Sequence, residues 1–238
     1  MDYPKHWSNL LREHWKFRVQ GKTATDPKVM LIEQARALYV PVPKAANSSA
    51  RRALAPSVGI DGASVGDVHK DTRLPIHKWS EIEPRLTEDW FFFTIVRNPF
   101  TRILSAYRDK VLDRKVQLKA LRAMGMTADD SFETFLKACA RWPRKLLNDH
   151  FIPQADLLSK PLATGRLTVL KSEDLPDGWS GICDRLETSG VPRPDLIGHT
   201  NRAMSQRDSG FSDAEIALIQ KLYADDFKYF SYSDTPPV

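Results

Sequence analysis

Lys44 follows an apolar, β-like run, Ala37-Leu38-Tyr39-Val40-Pro41-Val42, in the segment Pro43-Lys44-Ala45-Ala46-Asn47-Ser48-Ser49-Ala50-Arg51-Arg52. A second apolar run, Phe91-Phe92-Phe93-Thr94-Ile95-Val96, breaks into Arg97-Asn98-Pro99-Phe100-Thr101-Arg102-Ile103-Leu104-Ser105-Ala106-Tyr107-Arg108. In both, a cation and hydroxyls stand where a buried-type strand hands over to a helix. Unpaired N–H groups and the helix dipole make that position a natural anion site. Two such sites suit a ligand with two separated anionic groups. Arg97 leaves a buried-type strand, where an unpaired guanidinium is costly, so an internal carboxylate or a ligand anion must meet it. Lys44, read alone, fits an exposed loop lysine equally well. For proton removal from a hydroxyl, imidazole has the suitable pKa range. Among six histidines, His69, His77 and His150 are the candidates, and a packed or surface role accounts for each of them as well.

The elements that must position these residues read as alternating strands and helices, which argues for an α/β fold with a central parallel sheet in a three-layer sandwich. A helix is expected from Ser48 to Leu54, ended by Ala55-Pro56 and Gly59. Ser64–Val68 reads as a short strand ending at His69, and Ile76, Trp79 and Ile82 recur at helical spacing over Pro75–Arg85. Phe91–Val96 shows no polar alternation, as in a strand covered on both faces. Asn98 suits an N-cap and Pro99 a first turn for a helix running to about Leu118. A helix over Ser131–Ala140, an inner strand over Leu167–Leu170 and a helix starting near Ser172 follow. Arg193–Gly210 has the composition of a mobile surface loop. Ser212 and Glu215 form a capping-box pattern opening a last helix to about Phe227. Residues 1–35, which alternate Trp, Leu and Phe with basic residues, read as an amphipathic helical arm packed on a single domain spanning 36–238. A membrane-surface or partner-binding arm is the other reading of that pattern.

At 238 residues, with 42% hydrophobic and 27% charged residues, the chain is long enough for one full core. A net charge of +5 suits an anionic cofactor, glycan or nucleic acid without separating them. Cys139 and Cys183 have no framework spacing and read as reduced thiols. No His/Cys cluster has ligand spacing, so no metal is expected. The enzymatic rival is a P-loop-like kinase or nucleotidase. Its Walker loop, however, places Lys at the end of a glycine-rich turn, and no glycine falls between Val42 and Pro56. The other rival is a non-catalytic basic glycan- or nucleotide-binding module. No RNA-binding or zinc signature is present, so nucleic acid is not expected as a partner.

Pro43-Lys44-x-x-x-Ser48-Ser49 resembles the 5′-phosphosulfate loop of sulfotransferases, and Arg97-Asn98-Pro99-Phe100-x-Arg102-x-x-Ser105-Ala106-Tyr107-Arg108 resembles their 3′-phosphate motif. His150-Phe151-Ile152-Pro153-Gln154 and Tyr223-x-x-Asp226-Phe227-x-x-Phe230-x-Tyr232 extend the resemblance to the carbohydrate sulfotransferases of the chondroitin and dermatan type, and more distantly to heparan sulfate 2-O-sulfotransferase. It implies a P-loop-like sulfotransferase fold. The implied reaction moves a sulfuryl group from 3′-phosphoadenosine 5′-phosphosulfate to a hydroxyl of a glycan or glycolipid without a metal, leaving 3′-phosphoadenosine 5′-phosphate. The motifs assign Lys44 as the catalytic cation. Ala46, Asn47, Ser48 and Ser49 are assigned to the phosphosulfate, Arg97 and Ser105 to the 3′-phosphate, and Arg202 to a nucleotide loop that begins near His199. Relatives carry their histidine base in the region of His69, with His77 and His150 as alternatives. Arg51 and Arg52 add positive field, Arg102 reads as a surface cation and Tyr107 as a core aromatic. The animal relatives are membrane-anchored in the Golgi. The N-terminus here shows no apolar anchor, so the expectation is a cytoplasmic, bacterial protein with peripheral membrane contact through the arm. Acceptor identity and oligomeric state stay open.

Overall fold

A computed structural model describes Arg12 and residues 26–113, 119–197 and 210–237. Its strands are β1 (Lys28–Ile32), β2 (Ala37–Val40), β3 (Ile76–Lys78), β4 (Phe91–Val96) and β5 (Leu167–Lys171), forming one sheet in the order β3-β1-β2-β4-β5. β2 pairs parallel with β4, and β4 with β5, while β1 runs antiparallel to both of its neighbours. The sheet is therefore mostly parallel rather than fully so. A short turn, Glu33–Ala35, joins β1 to β2 with Arg36 in the left-handed region at φ 46°, and a connection that short permits only antiparallel pairing.

β1 also corrects the expectation of a helical arm over 1–35, because Val29–Ile32 is a continuous buried strand. Within residues 1–25 only Arg12 is described, so the rest of the arm lies outside the described residues. β5 is an edge strand in which only Leu170 is buried, not an inner one. Ser64–Val68 is not a strand: Gly62–Ser64 forms a single helical turn, and Ile76–Lys78, expected as helix, is the strand β3.

The described helices used below are α1 (Asn47–Leu54), α2 (Trp79–Ile82), α3 (Pro99–Tyr107), α4 (Phe132–Arg141), α5 (Leu175–Thr188), α6 (Asp213–Leu222) and α7 (Ala224–Tyr229). The chain divides into two compact units; among the described residues, one takes 26–98 and 158–197, the other 99–113, 119–157 and 210–237. The first holds the whole sheet with α1, α2 and α5. Trp79 of α2 meets Phe92 edge-on at 5.5 Å, and Trp179 of α5 meets Phe93 edge-on at 6.4 Å. Successive residues of a strand face opposite sides, so these two rings cover both faces of β4. Cys139 and Cys183 are free and buried. Among the described residues, no helix is long and apolar enough to cross a membrane.

The second unit is centred on aromatic packing: Phe100 against Phe211 and Phe227, Tyr107 against Phe132 and Phe135, and Phe135 edge-on to Phe151. α3 ends at Tyr107 and widens into a π-helical turn, Arg108–Leu112, where one unbroken α-helix was expected. The last helix likewise breaks at Tyr223, between α6 and α7, and Ser212 and Glu215 form the expected capping box at its start. Arg102 is a correction of a different kind. It is 1% exposed and donates to the carbonyls of Ile152 (2.9 Å) and Asp149 (3.3 Å). Buried Asp226 accepts from the N–H groups of Gln154 (3.0 Å) and Ala155 (2.8 Å). Arg102 and Asp226 together fix the 149–155 segment, with Tyr223 donating its hydroxyl to the Phe151 carbonyl at 2.7 Å.

Burial pushes the Asp226 carboxyl up, and the charge of Arg102 works against that shift. Arg102→Met is therefore expected to cost about 3 kcal/mol at neutral pH, because it strands a buried carboxylate. A raised acid binds protons more readily folded than unfolded, so the loss should shrink as the pH falls and Asp226 protonates. Urea denaturation of wild type and variant at neutral and mildly acidic pH measures both.

Candidate functional site

The loop after β2 is built around backbone that side chains ordinarily avoid. Lys44 (φ 68°) and Ala46 (φ 54°) both lie in the left-handed region, flanking a fully buried Ala45. A left-handed non-glycine residue costs roughly 1–2 kcal/mol, and such strain gathers at functional sites. Ala46 is the N-cap of α1 yet supplies no side-chain cap, and the first turn contains no acid. The first N–H groups of α1 have no intrahelical acceptor, so this terminus keeps its affinity for an anion. The buried Oδ1 of Asn47 has no partner among the described residues, and a ligand N–H or O–H would satisfy it.

Arg97, at the end of β4, donates from Nη1 to the Lys44 carbonyl at 3.2 Å. One partner of the guanidinium is thus the backbone of the Lys44 loop, which ties the two motifs together. Thr94 Oγ1 does the same one turn of pleat earlier, donating to the Val40 carbonyl at 2.6 Å. The Asn98 N–H donates to Glu173 Oε1 at 2.8 Å and anchors the exit from β4.

His69 comes to this loop, its Nε2 lying 3.3 Å from Ser48 Oγ. Two arginines of α1 hold it there. Arg52 donates to the carbonyls of Val65 (3.3 Å) and Gly66 (3.0 Å), and Arg51 to that of Val68 (3.4 Å). Side chains of α1, not a neighbouring strand, take the carbonyls of Val65, Gly66 and Val68 among the described residues. Arg51 is buried and Arg52 exposed, so their role is to position the His69 segment, which sequence reasoning missed. Asp67 completes the turn by accepting the His69 N–H at 3.0 Å, and that bond holds its carboxyl below the usual range.

Lys44, Ala46, Asn47, Ser48, Ser49, His69 and Arg97 all belong to the sheet-bearing unit. So does His77, which lies on β3 rather than a helix, with Nδ1 4.0 Å from Glu81 Oε2. His69 and His77 line one open cleft of about 410 Å³ with Arg51, Lys70 and Leu74. Ser105 and His150 belong to the other unit. Ser105 shares the partly exposed face of α3 with Thr101, while Phe100, Ile103 and Leu104 are buried. His150 Nδ1 lies 2.7 Å from Asn148 Oδ1 and 2.9 Å from Asp149 Oδ1. Arg202 lies outside the described residues.

A model of the sulfotransferase family matches residues 27–233. The chain is also similar to carbohydrate sulfotransferase 10 of Gallus gallus, with 24% identity over 86% of this chain and 66% of that protein. It thus spans just under two thirds of the length of that relative. No solved structure matches the chain.

Two outcomes follow from the loop geometry. Ala46→Gly removes the Cβ penalty of the left-handed cap and should stabilise the protein by about 1 kcal/mol, read as a higher urea midpoint at unchanged m-value. Arg52→Ala releases the carbonyls of Val65 and Gly66, so amide exchange at 67–71 should speed up while β4 amides keep their protection.

Proposed function

The chain belongs to the sulfotransferase family, and from that premise we propose that it moves a sulfuryl group from 3′-phosphoadenosine 5′-phosphosulfate to a hydroxyl of a carbohydrate. The fold proposed with it is the P-loop-like, three-layer arrangement of such enzymes. One observation carries the reading. The left-handed turn at Lys44 and Ala46 opens an uncapped helix with no acid in its first turn, and His69 meets the second residue of that helix.

The reaction is an in-line displacement. A bond forms between the acceptor oxygen and sulfur, the bond from sulfur to the bridging phosphate oxygen breaks, and the acceptor proton leaves. Lys44 supplies positive charge to the departing phosphate as the bridging bond breaks. The N–H groups at the start of α1, with the hydroxyls of Ser48 and Ser49, hold the phosphate oxygens. His69 takes the acceptor proton, for which imidazole is suited near neutral pH. Its 3.3 Å approach to Ser48 favours it over His77 and over His150, whose Nδ1 already engages two oxygens of its own segment. Arg97 and Ser105 are assigned to the 3′-phosphate by motif. The Arg97 bond to the Lys44 carbonyl adds a positioning role, so that donor recognition and catalytic loop are linked. Positioning and electrostatics do the main work in such transfers.

Calorimetric titration with 3′-phosphoadenosine 5′-phosphate, with 5′-AMP and ATP as controls, tests the donor. Micromolar binding that disappears without the 3′-phosphate is expected. Equal binding of ATP would move the nucleotidase reading ahead. Lys44→Ala should lower turnover by about 10²–10³-fold while retaining part of the donor affinity, whereas Arg97→Ala should weaken donor binding itself. Unchanged turnover in Lys44→Ala would remove its catalytic role.

A further inference from the structure

Tyr39 and Arg51 form a buried pair that the proposed reaction does not use. Tyr39, on β2, is 0% exposed, and its ring packs on Phe93 with centroids 5.4 Å apart. Arg51, on α1, is 6% exposed. Tyr39 Oη and Arg51 Nε each have no hydrogen-bond partner among the described residues, yet the two side chains lie close enough to act on each other electrostatically. The one hydrogen bond of the guanidinium is the long donation from Nη1 to the Val68 carbonyl, at 3.4 Å. A buried guanidinium without a counter-charge is costly, and no carboxylate forms an ion pair with Arg51 among the described residues. The acids nearest in the cleft that Arg51 lines are engaged elsewhere. Asp71 accepts from Arg73 at 2.9 and 2.6 Å, and Glu81 accepts the Lys78 N–H at 3.1 Å and lies 4.0 Å from His77. Asp67, in the segment that Arg51 holds, accepts the His69 N–H at 3.0 Å and lies 3.4 Å from Lys70. Nor is Tyr39 itself the counter-charge, because burial raises its pKa and keeps the phenol protonated at neutral pH. Both orphaned atoms are therefore donors, and they lie beside a buried positive charge. Their missing partner is an acceptor, and a negative one.

We propose that Tyr39 and Arg51 hold a single small inorganic anion, a halide such as chloride, between β2 and α1. Burial and charge together select a halide. An ion enters a site this enclosed only after losing nearly all its water, and that cost grows steeply with charge, so chloride is favoured over sulfate or phosphate. The open cleft of about 410 Å³ that Arg51 lines gives the ion its approach from solvent. Ser48 and Arg51 are three residues apart on one face of α1, so the ion lies about one turn from the Ser48–His69 contact. It lets Arg51 stay charged and buried, and so keeps the Val68 carbonyl, and the His69 segment with it, in place. The site rests on the buried groups alone and not on the sulfotransferase reading.

The test is thermal unfolding of the full chain in sodium chloride against sodium gluconate at one ionic strength, which holds general screening fixed. The melting temperature should rise with chloride along a saturating curve, by about 3–6 °C at roughly ten times Kd. Bromide should act as chloride does, and the more strongly hydrated fluoride only weakly. Tyr39→Phe keeps the ring packed on Phe93 and removes one donor. It should lose most of the chloride response while melting no lower than wild type in gluconate, where the hydroxyl has no partner to lose. Arg51→Met should lose the response completely. In crystals grown in bromide, anomalous scattering should place an ion in contact with both Tyr39 Oη and Arg51 Nε. Equal melting of wild type in chloride and gluconate would overturn the proposal, as would an undiminished response in Tyr39→Phe or bromide at surface sites only. Equal destabilisation of Tyr39→Phe in both salts would also overturn it, since that pattern marks a bridging water. None of these readouts involves the sulfuryl donor, so their failure would leave the sulfotransferase reading standing.

Discussion

Parallel pairing of β2 with β4 is the constraint from which the site follows. With Val40 opposite Thr94, both strands release their chains at the same edge of the sheet, and the Lys44 loop and Arg97 emerge side by side. Ligands of open α/β sheets gather at the carboxyl ends of parallel strands for this reason. The pairing is reinforced where it matters. Thr94 uses its buried hydroxyl to hold the Val40 carbonyl, and Arg97 reaches the Lys44 carbonyl beyond it. A strained loop persists only when its surroundings determine it, and these two bonds, with the burial of Val42 and Ala45, supply that support.

α1 then acts in two directions. Its start offers N–H groups and hydroxyls to an anion, while its end sends Arg51 and Arg52 to the carbonyls that lead to His69. One short helix therefore sets both the Lys44 loop and the position of His69. The arrangement carries a cost: Tyr39 Oη and Arg51 Nε are buried without partners among the described residues, and burial raises the Tyr39 pKa and lowers that of Arg51. Unsatisfied polar groups of this kind are uncommon in a packed interior and concentrate where function overrides local stability.

The unit containing α3 solves a different problem with the same residue type. Arg102 and Asp226 are buried within it and spend their hydrogen bonds on backbone groups of 149–155. The family-like segments around His150 and Tyr223 thus meet through structural bonds, the Tyr223 hydroxyl on the Phe151 carbonyl among them. Their side-chain identities serve to fix a loop as much as to do chemistry.

Local patterns settled a good deal. The apolar run Phe91–Val96, the helix expected from Ser48 and found one residue earlier at Asn47, the helix expected over Ser131–Ala140 and the Ser212/Glu215 capping box are readable because capping and periodicity depend on near neighbours in the chain. The two strand-to-helix junctions, at Lys44 and at Arg97, were legible for the same reason, each being contiguous in the chain. What the sequence could not fix depends on partners far along the chain. β1 reverses direction because of a tight turn whose consequence appears only in the sheet. Residues 65–68 form no strand among the described residues, and Arg51 and Arg52 take carbonyls within them. Arg102, polar and apparently fit for the surface, is buried because backbone acceptors and Asp226 await it. Sequence determined which residues could carry the chemistry; tertiary structure decided which of them meet, because burial and long-range hydrogen bonds, not local propensity, set the position of a charged side chain.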